Sequence, residues 1–376
     1  MKILFTGGGT GGHFYPIIAV AKEVRNIAKK RKLLDPELYY IAPNPYDNRV
    51  LFENDIIFKK SPAGKMRRYF SFWNIIDVFK TAIGIVKTMW QVFTIYPDVI
   101  FSKGGYASFP TVVAARIFRI PLVIHESDAT AGRANKWAGK FAEKIAIAYT
   151  DAADDFPKGK VAHTGNPVRH ELFTIAGEGA HEFLKLKKDV PVILILGGSQ
   201  GSEKINEAIL GALPHLLNQY QIIHQTGKKN FKEVEQTARV ILEGHAHIGR
   251  YKPLDYLSVL ALRNAAGAAS LVISRAGSGA IFEIALWGLP AILIPIPEDV
   301  SRDQERNAFA YARSGSGIVV EEKNLTPNIL VSEINRLMDN ESLRRKMSEQ
   351  AKKFATPDAA RIIAEALIDT ALRHES

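Results

Sequence analysis

The sequence predicts an α/β protein of two doubly wound, Rossmann-like parallel-sheet domains facing each other across a cleft. Three observations carry this. Short apolar runs alternate with stretches of helical spacing, and each run ends in glycine or polar residues, the rhythm of strands buried on both faces and joined by crossover helices. That rhythm lapses between Thr164 and Lys188 and then restarts. Each half opens on a strand that runs into a glycine-rich turn, and 376 residues exceed one ordinary hydrophobic core.

The first turn organises the first half. Lys2-Ile3-Leu4-Phe5-Thr6 leads into Gly7-Gly8-Gly9-Thr10-Gly11-Gly12-His13, after which Phe14 to Ala21 take helical spacing. Glycine lets backbone approach a ligand closely, and the opening turn of a helix presents unpaired N–H groups and a positive dipole end, so the loop suits a phosphate. His13 at its mouth can exchange a proton near neutral pH. Gly7, Gly9 and Gly12 also satisfy the G-x-G-x-x-G pattern of dinucleotide sites, but that pattern wants a carboxylate closing the second strand. Leu38 to Ile41 end instead in Ala42-Pro43-Asn44-Pro45, which argues against NAD or flavin. A turn that only packs helix on sheet is the bland alternative.

Further strands are expected at 98–101, 122–124 and 145–148. Ligands of such sheets lie beyond the carboxyl ends of the strands, which gathers Ser102 to Ser108 and His125-Glu126-Ser127-Asp128 on the rim that holds His13. In the second half, Pro191 to Leu196 meets Gly197-Gly198-Ser199-Gln200-Gly201-Ser202, and strands follow at 221–224, 271–274, 291–294 and 317–320. Arg275-Ala276-Gly277-Ser278-Gly279-Ala280-Ile281-Phe282-Glu283 is another small-residue turn entering a helix, with Glu283 expected in the first turn, where one carboxylate can accept from both hydroxyls of a ribose. Gln304 opens a further helix on the same rim, within reach of sugar hydroxyls, and residues 357–373 read as an amphipathic helix returning across the cleft.

Cysteine is absent, which excludes disulfides and thiolate metal sites, and no Asp-x-Asp occurs, so no obligatory metal or other cofactor is expected. Met1-Lys2 leads straight into the first strand, leaving no room for a signal peptide. A net charge of +10 asks for an anionic partner. Lys59, Lys60, Lys65, Arg67, Arg68, Lys80 and Lys87 face the single acid Asp77, and these charges break the apolar run well short of the roughly 20 residues that span a bilayer. Over residues 65–73, Arg and Lys interleave with Tyr, Phe and Trp, which predicts a face lying on an anionic membrane rather than on nucleic acid. Residues 75–93 are expected to pack one helix into the core.

Several motifs then fall into one order: Gly8 to His13, Gly104-Gly105-Tyr106, His125-Glu126, Asn135-Lys136, Gly165-Asn166-Pro167-Val168-Arg169, Gly197 to Gly201, Arg275-Ala276-Gly277 with Glu283, and Gln304 with Asn307-Ala308. Together they resemble the MurG-type N-acetylglucosaminyltransferase family over nearly the whole chain. The resemblance implies a GT-B fold with an acceptor- and membrane-facing domain at 1–164, a UDP-GlcNAc-binding domain at 165–350, and a helix at 351–376 packing back on the first. It implies inverting transfer of GlcNAc from UDP-GlcNAc to the C4 hydroxyl of undecaprenyl-pyrophosphoryl-muramyl-pentapeptide (lipid I) in peptidoglycan synthesis, by a peripheral protein on the cytoplasmic face of the plasma membrane.

Carried over by residue, Thr10, Gly11 and Gly12 would line the donor diphosphate and sugar, and Arg169 and Ser199 would bind phosphate. Ser278, Gly279, Ala280, Ile281, Phe282 and Glu283 would bind phosphate and ribose, and Gln304 would bind GlcNAc. His13 is the first choice of catalytic base and Glu126 the second. One departure stands out: the family's His-Glu is followed by Gln-Asn, where this chain has Ser127-Asp128, which removes an amide donor to the donor sugar. The open alternatives are a glycolipid glycosyltransferase, a UDP-sugar epimerase, and a noncatalytic nucleotide-binding membrane adaptor.

Overall fold

The computed structural model describes every residue but Gly9, residues 65–72, Glu178, Ser199, Gln200, Arg302 and Ser376. The basic-aromatic segment 65–73 therefore lies outside the described residues except for Trp73, which opens a helix. The chain forms two compact units, Met1–Arg169 with Thr356–Ser376, and His170–Ala355.

The first unit is built on a parallel sheet of β1 (Lys2–Thr6), β2 (Glu37–Ala42), β3 (Ile56–Lys60), β4 (Val99–Ser102), β5 (Leu122–Glu126), β6 (Lys144–Ile147) and β7 (Val161–His163), in the order β3-β2-β1-β4-β5-β6-β7. The second carries β8 (Val192–Leu196), β9 (Gln221–Gln225), β10 (Tyr251–Leu254), β11 (Ala269–Ser274), β12 (Ala291–Leu293) and β13 (Gly317–Val319), in the order β10-β9-β8-β11-β12-β13. Each is doubly wound and reverses beside its first strand, between β1 and β4 and between β8 and β11. Loops leaving adjacent strands there diverge to opposite faces, and the crevice outside their carboxyl ends accepts a ligand.

Alternation along the strands supplies two cores in the first unit. Ile3, Phe5, Val99 and Phe101 enter one, and Leu4, Ile100, Leu122 and Ile124 the other. The first is covered by the Gly11–Lys30 helix and by the terminal helix Ala359–Glu375, whose Ala360, Ile363, Ala364, Leu367, Ile368 and Ala371 recur at helical spacing and are buried there. The ion pair Arg31–Asp369, at 2.6 Å, joins these helices in the open, where such a pair contributes little beyond the packing.

The helix Trp73–Ile95 corrects one expectation. Only its C-terminal end packs apolar side chains inward, Val92 and Ile95; before them the inner side is small and polar: a Cβ on Gly84 would fall 1.9 Å from the Pro62 carbonyl oxygen, and the buried Thr88 and Ser61 hydroxyls meet at 2.6 Å. That close approach decides which side faces in. Most of the apolar residues are turned outward instead of into the core, with Phe79 66%, Ile83 61%, Val86 70%, Trp90 67% and Phe93 58% exposed.

Candidate functional site

In the first unit the site grows from the ends of β1, β4 and β5. Gly7 and Gly8 run at φ +140° and +152°, and a side chain on either would collide: a Cβ at Gly7 lies 2.8 Å from the Lys103 Cβ, and one at Gly8 lies 2.9 Å from the Tyr40 hydroxyl. That hydroxyl donates to the Gly7 carbonyl at 2.6 Å, fixing the turn to β2. Thr10 then caps the Gly11–Lys30 helix through its carbonyl, which accepts from the His13 and Phe14 amides. Its hydroxyl is left for another task, and lies 3.0 Å from His13 Nδ1.

His13 is half-buried, and a Cβ on Gly105 would stand 3.4 Å from its Nε2. Burial, and then the charge of Lys103, hold its pKa down to about 4, so the imidazole is neutral at pH 7. In the tautomer that donates Nδ1–H to Thr10 Oγ1, Nε2 keeps its lone pair. Gly12 has open space around it, with only Thr10 Oγ1 at 3.7 Å from a built Cβ, while Gly11 is packed under Tyr46. The Arg169 guanidinium stacks 4.4 Å from the Tyr15 ring centre.

Beneath His13 lies a buried polar cluster. The register Ser102↔Ile124 between β4 and β5 sets Lys103 beside His125. Lys103, 1% exposed, places Nζ 2.6 Å from His125 Nδ1, 2.8 Å from Ser127 Oγ and 3.1 Å from Asn166 Oδ1. His125 Nε2 donates to the Gly165 carbonyl at 2.9 Å, so Nδ1 is the acceptor for the ammonium. Glu126 accepts from the Asp128 amide at 3.1 Å through Oε1, and from the Gly132 amide at 3.0 Å and Asn135 Nδ2 at 2.9 Å through Oε2. Burial pushes the Glu126 carboxyl above the usual range and Lys103 below its own. The sequence reading placed His125 and Glu126 on this rim but gave no role to Lys103 or Asn166. The available signal was a lysine directly after a buried strand, next in the sheet to one ending in His-Glu.

In the second unit, β8 enters the Glu203–Leu216 helix through Ser202, whose hydroxyl accepts from the Ile205 amide and, at 2.6 Å, from Arg275. Arg275 also donates to the Ile294 and Pro295 carbonyls and pairs with Glu322, so it braces the loops around the β8/β11 reversal. The Ser278–Trp287 helix follows, with nothing within 4 Å of a Cβ built on Gly277 or Gly279. Gly279 and Ala280 are half-buried in the first turn while Ser278 is buried, and the first N–H groups of a helix have no acceptor within it. Ile281 and Phe282 are buried, the Ile281 amide bonded to the Gly277 carbonyl and the Phe282 ring 5.2 Å from Phe354. Glu283 stands in the second turn rather than the first, because the helix begins only at Ser278. Gln304 opens the Gln304–Arg313 helix and accepts from the Ile296 amide through Oε1, which leaves its NH2 to point elsewhere. Ser199 lies outside the described residues.

Residues 3–147 match the glycosyltransferase family 28 N-terminal domain, and residues 192–363 match that family's C-terminal domain. A relative from Bacillus thuringiensis subsp. konkukian named UDP-N-acetylglucosamine--N-acetylmuramyl-(pentapeptide) pyrophosphoryl-undecaprenol N-acetylglucosamine transferase 2 is 37% identical over 368 residues, covering 97% of this chain and 99% of the relative. The transferase of the same name without the numeral from Treponema denticola is 32% identical over 372 residues, covering 95% and 93%. The chain belongs to the MurG family.

Solved structures carry the fold further than the sequence does. The MurG of Acinetobacter baumannii superposes with a TM-score of 0.73 at 24% identity, over 98% of this chain and 99% of that one. A UDP-GlcNAc 2-epimerase from Neisseria meningitidis bound to UDP-GlcNAc gives 0.69 at 16% identity, over 98% and 100%. This MurG-family chain therefore shares its architecture with proteins of different activity, and its chemistry has to be argued from its own side chains.

Proposed function

We propose that the protein is an inverting glycosyltransferase that moves GlcNAc from UDP-GlcNAc to the C4 hydroxyl of lipid I in peptidoglycan synthesis. The observation that carries the mechanism is the neutral His13 imidazole, with Nδ1 at the Thr10 hydroxyl and Nε2 beside Gly105. The acceptor C4 oxygen bonds to the anomeric carbon from the face opposite the diphosphate. The bond to the diphosphate breaks with its electron pair, UDP leaves, and the hydroxyl proton passes to His13 Nε2. Glu126, with both oxygens already accepting N–H bonds, holds the turn from Asp128 to Gly132 rather than taking the proton.

The second unit offers what a nucleoside diphosphate sugar needs. The helix N-terminus at Ser278, Gly279 and Ala280 suits a phosphate, the Glu283 carboxylate suits a ribose, and the Gln304 NH2 suits a sugar oxygen. Thr10, Gly11, Gly12, Arg169 and Ser199 belong to the donor site by family resemblance. Incubation with UDP-GlcNAc and a lipid I analogue should yield a product heavier by one GlcNAc, read by mass spectrometry. Consumption of UDP-GlcNAc without acceptor would favour an epimerase, and UDP binding without turnover an adaptor.

We further propose that the protein works on a membrane surface through the outward face of the Trp73–Ile95 helix. Phe79, Ile83, Val86, Trp90 and Phe93 stand exposed beside Lys80 and Lys87, an apolar stripe with cations at its edge. No helix among the described residues is long and apolar enough to cross a membrane. The full chain should sediment with vesicles containing anionic lipid, less so in high salt, and the double variant Phe79→Asp, Trp90→Asp should stay in solution. Undiminished sedimentation of that variant would count against this surface.

A further inference from the structure

We infer that Lys103 is a positioning residue for this transfer, its buried ammonium tying the ends of β4, β5 and β7 into one rim and setting a positive charge near the His13 imidazole. This rests on the assignment of His13 as base for its meaning, but not for its test. The ammonium has three N–H groups and meets three acceptors, His125 Nδ1 and Ser127 Oγ at the end of β5 and Asn166 Oδ1 after β7. A charge so buried is costly unless compensated, and well-packed apolar residues in place of such a cluster often cost less, so its presence points to a use for the charge.

Geometry packs the base of the Lys103 side chain against the turn that carries His13. Gly7, which shares the glycine turn with His13, crosses the Lys103 Cβ so closely that no side chain fits, and Gly105, two residues after the lysine, borders His13 Nε2. The ionisable groups around the pair are His125 and Glu126 on β5, Asp128 after it, and the phenols of Tyr40 on β2 and Tyr106 after Gly105. Glu126 and Asp128 favour the charged lysine, and the charged lysine disfavours a proton on His13 and on His125. The departure at Ser127-Asp128 then has a reason in this chain: Ser127 supplies a short hydroxyl that Lys103 reaches, and Asp128 a balancing charge.

The test is the titration of His13 itself, followed by NMR in the full chain with labelled histidine and assigned by its loss in His13→Gln. The wild-type signal should titrate at about 4. In Lys103→Met it should move up, with burial still holding it below the ordinary 6.5, while Lys103→Arg, which keeps the charge, stays low. Folded Lys103→Met with an unmoved His13 overturns the inference, as does an equal shift in Lys103→Arg. Should Lys103→Met not fold, Asn166→Asp sets a carboxylate against the ammonium and should raise the His13 titration; no rise there overturns it too. A shifted His13 titration without a matching shift in the acid limb of kcat/KM supports Lys103 and removes His13 as base.

Discussion

Replacing His13 with Gln should lower turnover by about 10²- to 10⁴-fold, the span over which a positioned base accelerates proton transfer, while UDP affinity measured by calorimetry stays near wild type. Glutamine keeps a polar group near Thr10 but has no basic lone pair to receive the C4 proton. The pH profile sharpens this. Because burial and Lys103 hold His13 at about 4, the base form prevails through neutral pH, and kcat/KM should fall only as pH drops through that value. An unperturbed histidine would lose activity through 6.5 instead. The His13→Gln variant should retain its residual rate with that limb gone. Near-normal turnover in the variant would remove the base assignment.

How much of this was legible in the sequence differs by position in the sheet. Central strands such as β4, β5, β8 and β9 are buried along their whole length, and each carries an apolar stretch, unbroken in β8 and closed by polar residues in the others, that marks it in the sequence. The strands that the sequence reading passed over, β3, β7 and β10, all stand at sheet edges, where one side faces no neighbour: Lys59 and Lys60 close β3, His163 closes β7, and Pro253 sits in β10. The outward stripe of the Trp73–Ile95 helix is ambiguous in sequence for a related reason. Apolar spacing shows that a face exists, but only Gly84 against Pro62 shows which face the core takes. Glycine turns mark the sites because their geometry is local. The Lys103 cluster joins residues 103, 125, 127 and 166, and no local pattern records a contact across that separation.

Removing the Glu126 carboxylate should damage the fold before it damages the chemistry. In Glu126→Ala, the Asp128 amide, the Gly132 amide and one Asn135 N–H all lose their acceptor in a site that is 4% exposed at Glu126. An unsatisfied buried donor costs about 1–3 kcal/mol, so even the low end for each gives about 3 kcal/mol, a large share of the roughly 5–15 kcal/mol that hold a domain together. The unfolding midpoint should drop, and activity with it. Glu126→Gln separates the two roles. It keeps one acceptor oxygen but must turn its NH2 toward either the Asp128 amide or the Gly132 and Asn135 donors, so its midpoint should fall less than that of Glu126→Ala, with activity following stability. Were Glu126 the base, Glu126→Gln would lose about 10²- to 10⁴-fold in turnover at an unchanged midpoint. Three N–H bonds to Glu126 stabilise its ionised form and would weaken were it protonated, and His13 Nε2 carries no such burden.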